Sequence, residues 1–384
     1  MPLSLLRRWA QTMHNGLEAK GGSVMSGLVR WVVAGAAVLL GTAAVFPAAD
    51  AAVTPGWQIS FDDPGGTLIP ITATGPDDAW AAGSRVATGL VPQVVHWNGR
   101  SWRAARLPGG LGDPILAIGA SSATNVWAFS LDLGWLIHWN GSRWSVSRGV
   151  MPGDVTAAAV FSPSDVWAFG CPGISDGVGA MRFDGHSWHR YPLTYGEICS
   201  ASALSPSDIW ASGFKNPGDG GFITHWDGTA WHRVPSPLIK LPDGKLHIFG
   251  ANAFAVLAAN DVWAFGGAFI GSGQTQQLFP AVMHWDGRAW HRIGVPGSGF
   301  ELSRAAPDGH GGFWAVTSPV NPALTRLLHY SHGRWTRVTL PTLNGEALMP
   351  FDLTQVPGTA SAWATAGHLS KVGSVVLRFQ PSSG

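Results

Sequence analysis

The chain is short of charge and of cysteine. Only 12% of its 384 residues are Asp, Glu, Lys or Arg, about half the usual share. A disordered chain would need high charge and few aromatics, whereas 11% of these residues are aromatic. Two cysteines exclude a disulfide-rich mini-scaffold and a Cys-ligated zinc ribbon. Lys and Arg number 24 against 23 Asp and Glu, which leaves no electrostatic case for a nucleic-acid partner. Motifs of catalysis are missing too: there is no Gly-x-Ser-x-Gly, no His-Glu-x-x-His, no phosphate loop and no calcium loop. No metal or cofactor is therefore expected. What the chain does have is 51 Gly and 27 Pro for turns, and 21 Trp for a core.

Residues 1–51 differ from the rest. Arg30 precedes an apolar run over 31–46, and Ala49-x-Ala51 supplies small residues behind it. A basic flank, a short apolar segment and a small-residue site predict a secretory signal peptide cut before Ala52. Met25 is an alternative start. Arg7-Arg8 has the look of a twin-arginine signal but lies more than twenty residues ahead of the apolar run, so it is discounted. The alternative is an anchor retained at 31–46, although sixteen residues are short for a span. Without residues 1–51 the chain carries a net charge of −1, so no membrane partner is expected beyond the leader.

From 52 to 384 the sequence repeats. Asp165-Val-Trp-Ala-Phe-Gly170 recurs as Asp208-Ile-Trp-Ala-Ser-Gly213 and Asp261-Val-Trp-Ala-Phe-Gly266, with looser copies around Trp80, Trp127, Trp314 and Trp363. A second phrase follows, as in His96-Trp-Asn-Gly-Arg-Ser-Trp102 and His225-Trp-Asp-Gly-Thr-Ala-Trp231. The first Trp falls at 80, 127, 167, 210, 263, 314 and 363, a period of 40 to 53 residues. Each unit reads as four short strands, and its Asp-Gly or Asn-Gly is a strong hairpin signal. The fold class is therefore all-β: a seven-bladed β-propeller of four-stranded blades. The seventh unit lacks an outer strand, and residues 56–61 supply one. This predicts a ring closed by the N-terminal strand, which also hides sheet edges.

These phrases resemble those of secreted bacterial propellers with Asp-Val-Trp-Ala-x-Gly and His-Trp-Asp-Gly-x-x-Trp repeats, distantly like kelch and galactose-oxidase propellers. The likeness covers about residues 56–380 and implies a fold and secretion rather than an activity. The hairpin is also similar to the Asp-box of sialidase-like propellers but lacks its spacer residue, so that function does not carry over.

A Trp repeated in every blade is a packing residue between stacked sheets. Trp135 lies outside the repeat and is expected to be exposed at a rim. The repeated His96, His138, His225, His284 and His329 are spread over separate blades, with Arg182 and Arg378 at the equivalent positions, so they are not metal ligands. Each is expected to bond the turn residue of its own blade, such as Asp78, Asn125, Asp208 or Asp261. His189, His232 and His291 read as solvated. Cys171 and Cys199 fall on one face of adjacent blades, and in an exported chain they are expected to form a disulfide.

Function is sought on the variable loops. The longest are 236–248, with Lys240, Asp243 and Lys245, and 267–280, with Phe269, Gln274, Gln276, Gln277 and Phe279; all of these but Gln277, together with Trp135, are the ligand-binding candidates. Glu197 and Glu301 stand 13 residues before their Trp, and Asn252 and Asp352 stand 11 before. Equal parity would turn them toward the channel mouth, where Glu197, Glu301 and Asp352 are the catalytic candidates. The leading expectation is a secreted, non-enzymatic, monomeric binding module or scaffold for an envelope protein or glycan. The alternatives are an exported polysaccharide hydrolase or lyase and a purely structural surface module.

Overall fold

Each repeat folds as an antiparallel four-stranded sheet because short apolar runs alternate with turns that have one backbone solution. In a computed structural model the described residues are 56–86, 90–131, 134–171, 177–215, 221–271, 276–368 and 372–381; the segment 1–51, where a leader is expected, lies outside them. Blade one shows the pattern: Gly66–Gly75, Asp78–Val86, Leu90–Trp97 and Trp102–Ala104, paired in sequence order. Blades two to six repeat it over 115–147, 157–190, 197–234, 250–293 and 300–337. In blade seven Glu346–Gln355, Ala362–His368 and Ser374–Gln380 are joined by Gly56–Asp63, the first strand among the described residues.

The structure thus has seven blades, and the N-terminal strand closes the ring. Asn or Asp and Gly at the outer hairpins of blades one to five do the local work; blade six turns on His332-Gly333. Gly99, Gly141, Gly185, Gly228 and Gly287 take φ from 87° to 96°, a region that glycine enters without steric cost. Ser374 Oγ accepts from Leu68 N at 3.0 Å and donates to Gly66 O at 3.1 Å, and Thr365 Oγ1 donates to Ile69 O at 2.6 Å. Blade seven is thereby tied to blade one. One added element leaves the ring: Leu238–Lys240 pairs with Leu246–Ile248 as a separate two-stranded hairpin between blades four and five.

The seams between blades explain the tryptophans. Each repeat Trp reaches aromatic rings of the next blade, in most blades the pair at its outer hairpin. Trp80 meets Trp139 and Trp144 at 6.2 and 5.8 Å between ring centroids. Trp167 meets Trp226 and Trp231 at 5.0 and 5.8 Å. Trp363 closes the circle on Trp97 and Trp102 of blade one at 5.3 and 5.1 Å. Trp127 and Trp210 pack the same way, Trp263 meets Phe313 and Tyr330 of blade six, and Trp314 meets Trp57 and Phe379 on the paired terminal strands of blade seven; each aromatic pair adds about 0.5–1.5 kcal/mol beyond burial.

Candidate functional site

The repeated histidines are part of these seams. Nε2 of His96, His225, His284 and His329 lies 2.7–2.9 Å from a carboxylate of Asp78, Asp208, Asp261 and Asp308. His138 uses Asn125 at 2.9 Å. The rings stack on the Trp of their own blade, at 3.7 Å for His96 on Trp80. Asp78 and Asp261 also accept from the indole N–H of Trp80 and Trp263, so the carboxylate joins the turn, the Trp and the His. Arg182 makes two bonds to Asp165 at 2.9 and 3.0 Å. Arg378 meets no acid in this way; it lies over Trp363 and Trp97 at 5.0 and 5.4 Å. His189, His232 and His291 keep 52%, 59% and 56% of their side chains exposed, and each reaches its hairpin Asp at 2.7–2.8 Å.

The channel does not assemble the three acids. A cavity of about 240 Å³ is lined by the inner strands, including Asp352, Arg304 and Asn252 but neither Glu197 nor Glu301. Counting back from each Trp misaligns the blades. Thr354 faces Trp363, nine residues on, whereas Ser202 and Ala306 face Trp210 and Trp314, eight residues on. Bulges after Ile198 and Leu302 further separate Glu197 and Glu301 from the level of Asp352, which is the level of Arg304. Burial pushes the Asp352 carboxyl up, against the pull of Arg304. Asp352 meets Arg304 Nε at 3.3 Å and accepts from Ile71 N–H at 3.2 Å, so it ties blades six, seven and one. Glu197 lies 3.8 Å from Arg190. Among the described residues no group of three His, Cys, Asp or Glu could hold a metal ion.

Trp135 is a correction. It is 1% exposed, because the connection into blade two folds over it: Gly112 O accepts its indole N–H at 2.9 Å, and Leu111 packs in the same cluster. Cys171 and Cys199 form a disulfide with Cα atoms 4.7 Å apart, joining the second strand of blade three to the inner strand of blade four.

The two long loops come together. Ile239, Leu241 and Phe249 of the added hairpin share a core cluster with Ala268, Ile270 and Phe279 of the long hairpin of blade five. With these side chains turned in, the opposite face of the hairpin is left outside: Leu238, Leu246 and Ile248 are 57%, 63% and 43% exposed, in cross-strand register with each other and with Lys240. Phe269 is exposed nearby. Asp243 is occupied within the turn, accepting from Lys245 N–H at 3.0 Å and meeting His247 Nε2 at 2.9 Å. Beside it runs a groove lined by Lys240, Leu241, Phe279, Pro280, Arg292 and Val295. Its two cations face no acid in the lining. Gln276 sits at the tip of the blade-five hairpin, and Gln274 lies outside the described residues.

No protein-family model matches the chain, and no curated protein matches it. Solved structures of the same fold do. YCF48 from Cyanidioschyzon merolae is 14% identical over 85% of this chain and 100% of its own, with a TM-score of 0.58. YCF48 bound to D1 peptide is 14% identical over 87% and 99%, at 0.55. The extracellular domain of the one-component system BT4673 from B. thetaiotaomicron is 11% identical over 83% of this chain and 39% of its own, at 0.56. At these identities the likeness is one of fold.

Proposed function

We propose that the chain is an exported, non-enzymatic binding module that takes up an extended protein segment of the cell envelope on the loop face of blades four and five. The observation that carries this reading is the added hairpin: three exposed apolar side chains in register beside a groove whose cations, Lys240 and Arg292, face no acid. Exposed apolar groups on a rigid frame mark interaction surfaces, and an unpaired cation favours a segment that also carries carboxylate. A propeller of this fold solved with a peptide bound supports a peptide as occupant. Export rests on the 1–51 leader and on a disulfide suited to an oxidising compartment.

The test is selection from a displayed library of short peptides. Binders are expected to combine apolar residues with Asp or Glu, and to lose about tenfold in affinity, some 1.4 kcal/mol, against Lys240→Glu combined with Leu246→Ser. Absence of enrichment, or binders indifferent to that variant, would overturn the reading.

A further inference from the structure

A second surface lies on the opposite face. Strands that alternate in direction put the outer hairpins of blades one to six on the side away from the variable loops. There, between blades one and two, a groove of about 620 Å³ is lined by Trp80, Trp139 and Trp144, with Arg103, Arg106 and Arg143 around it and no carboxylate in the lining. Asp78 stands behind it, but its oxygens are taken up by Trp80, His96 and Thr74. Arg103 makes one long bond to Ser101 Oγ, 3.4 Å. Arg106 and Arg143 have no side-chain partner among the described residues.

The charge there follows from the turns. The outer hairpins 98–106 and 140–148 hold five arginines and no acid, because Asn98 and Asn140 occupy the place taken by Asp184, Asp227 and Asp286 in blades three to five. Like charges crowded beside apolar rings are relieved by an anionic ligand. Three guanidinium groups around one groove suit repeated anionic groups better than a single ion, whereas Arg148 is turned to Gly110 O at 3.0 Å. The outer strand Trp102–Ala104 has three residues, too few to add a peptide strand by a backbone ladder. Trp80 and Trp144 are buried in the seam, so recognition is left to the guanidinium forks, which suit the carboxylate or sulfate substituents of a sugar polymer.

We infer that the groove between blades one and two binds an anionic polysaccharide, with Arg103, Arg106 and Arg143 holding its carboxylate or sulfate groups. The experiment measures binding of the full chain to heparin, to polygalacturonate, to neutral dextran and to poly-glutamate. The parent binds one or both acidic glycans, more weakly as salt rises, and does not bind dextran. Arg103→Ser/Arg106→Ser/Arg143→Ser lowers that affinity by about tenfold or more. Arg233→Ser/Arg334→Ser/Arg337→Ser removes the same charge elsewhere and lowers it by less than about twofold. No glycan binding by the parent, or equal loss in both triples, would overturn the site. Tighter binding of poly-glutamate than of either glycan would overturn the ligand class.

Discussion

The outer hairpins of blades one and two and those of blades three to five have the same shape and different charge. Asn98 Oδ1 accepts from the N–H groups of Arg100 and Ser101 at 3.1 and 3.0 Å, and Asn140 Oδ1 from Ser142 and Arg143 at 3.0 Å each. Asp184, Asp227 and Asp286 accept the same pair of N–H groups at 2.8–2.9 Å. The turn requires an acceptor oxygen and a glycine; it does not require a charge. Where the oxygen is a carboxylate, a following His reaches it and the hairpin carries its own counter-charge. Where it is an amide, the hairpin lacks that acid, and the nearest carboxylate at the blade-one turn is Asp77, packed against Gly99. The fold constrains geometry at these positions and leaves charge free to serve binding.

The comparison rests on a shared frame, and the largest effect comes from breaking it. Trp363→Ala at the closing seam removes contacts to Trp97 and Trp102 and is expected to cost about 3–5 kcal/mol, read as a lower midpoint in denaturant. A smaller loss, about 2 kcal/mol, is expected for Arg304→Met. Unlike the hairpin charges, this one faces a carboxylate inside the channel, and removing it leaves Asp352 unpaired. Because the Asp352 carboxyl is already pushed up by burial, the unfolded chain releases its proton first. The cost of Arg304→Met therefore shrinks as pH falls and Asp352 protonates in the folded state.

The next effect sharpens the comparison within one position. His138 faces the amide of Asn125, and burial lowers its pKa. The unfolded chain then takes up a proton before the folded one, so stability is complete above about pH 6.5 and declines below it. Asn125→Asp is expected to lift that decline, as seen in Tm against pH. The smallest effect is that of Asp184→Asn/Asp227→Asn/Asp286→Asn. Hydrogen bonds from Ser187 and His186 N–H lower the Asp184 carboxyl, those from the Thr229 hydroxyl and Ala230 N–H lower Asp227, and those from Ala289 N–H and His291 lower Asp286. Their stabilisation is present above about pH 3.9 and is lost as pH falls through the depressed folded values. The triple variant therefore shows a shallower acid limb, with a small loss of stability at neutral pH and none once the parent's carboxylates are protonated.

Much of the frame was legible because two phrases keep their order through the chain, and because the missing outer strand of the seventh unit reappears at Gly56–Asp63. The bonds of His96, His138, His225 and His284 to their turns follow from the same periodicity. Departures from the repeat were harder to read. Trp135 looked like a rim residue because nothing in its spacing reveals that Leu111 and Gly112 fold over it. Glu197, Glu301 and Asp352 looked level because a one-residue difference in turn length and the inner-strand bulges are invisible to counting. The added hairpin appeared only as a long loop, although Leu238-Ile-Lys240 and Leu246-His-Ile248 carry its alternation. The basic groove left one visible trace, Asn in place of Asp at two of the hairpin turns.

The most direct test puts the charge back without changing the turn. Asn98→Asp/Asn140→Asp is measured in one preparation for Tm and for affinity to the acidic glycan that the parent binds. The account predicts an unchanged melting transition and an affinity reduced by about tenfold. Loss of folding stability together with binding, or binding that survives the added carboxylates, would contradict it.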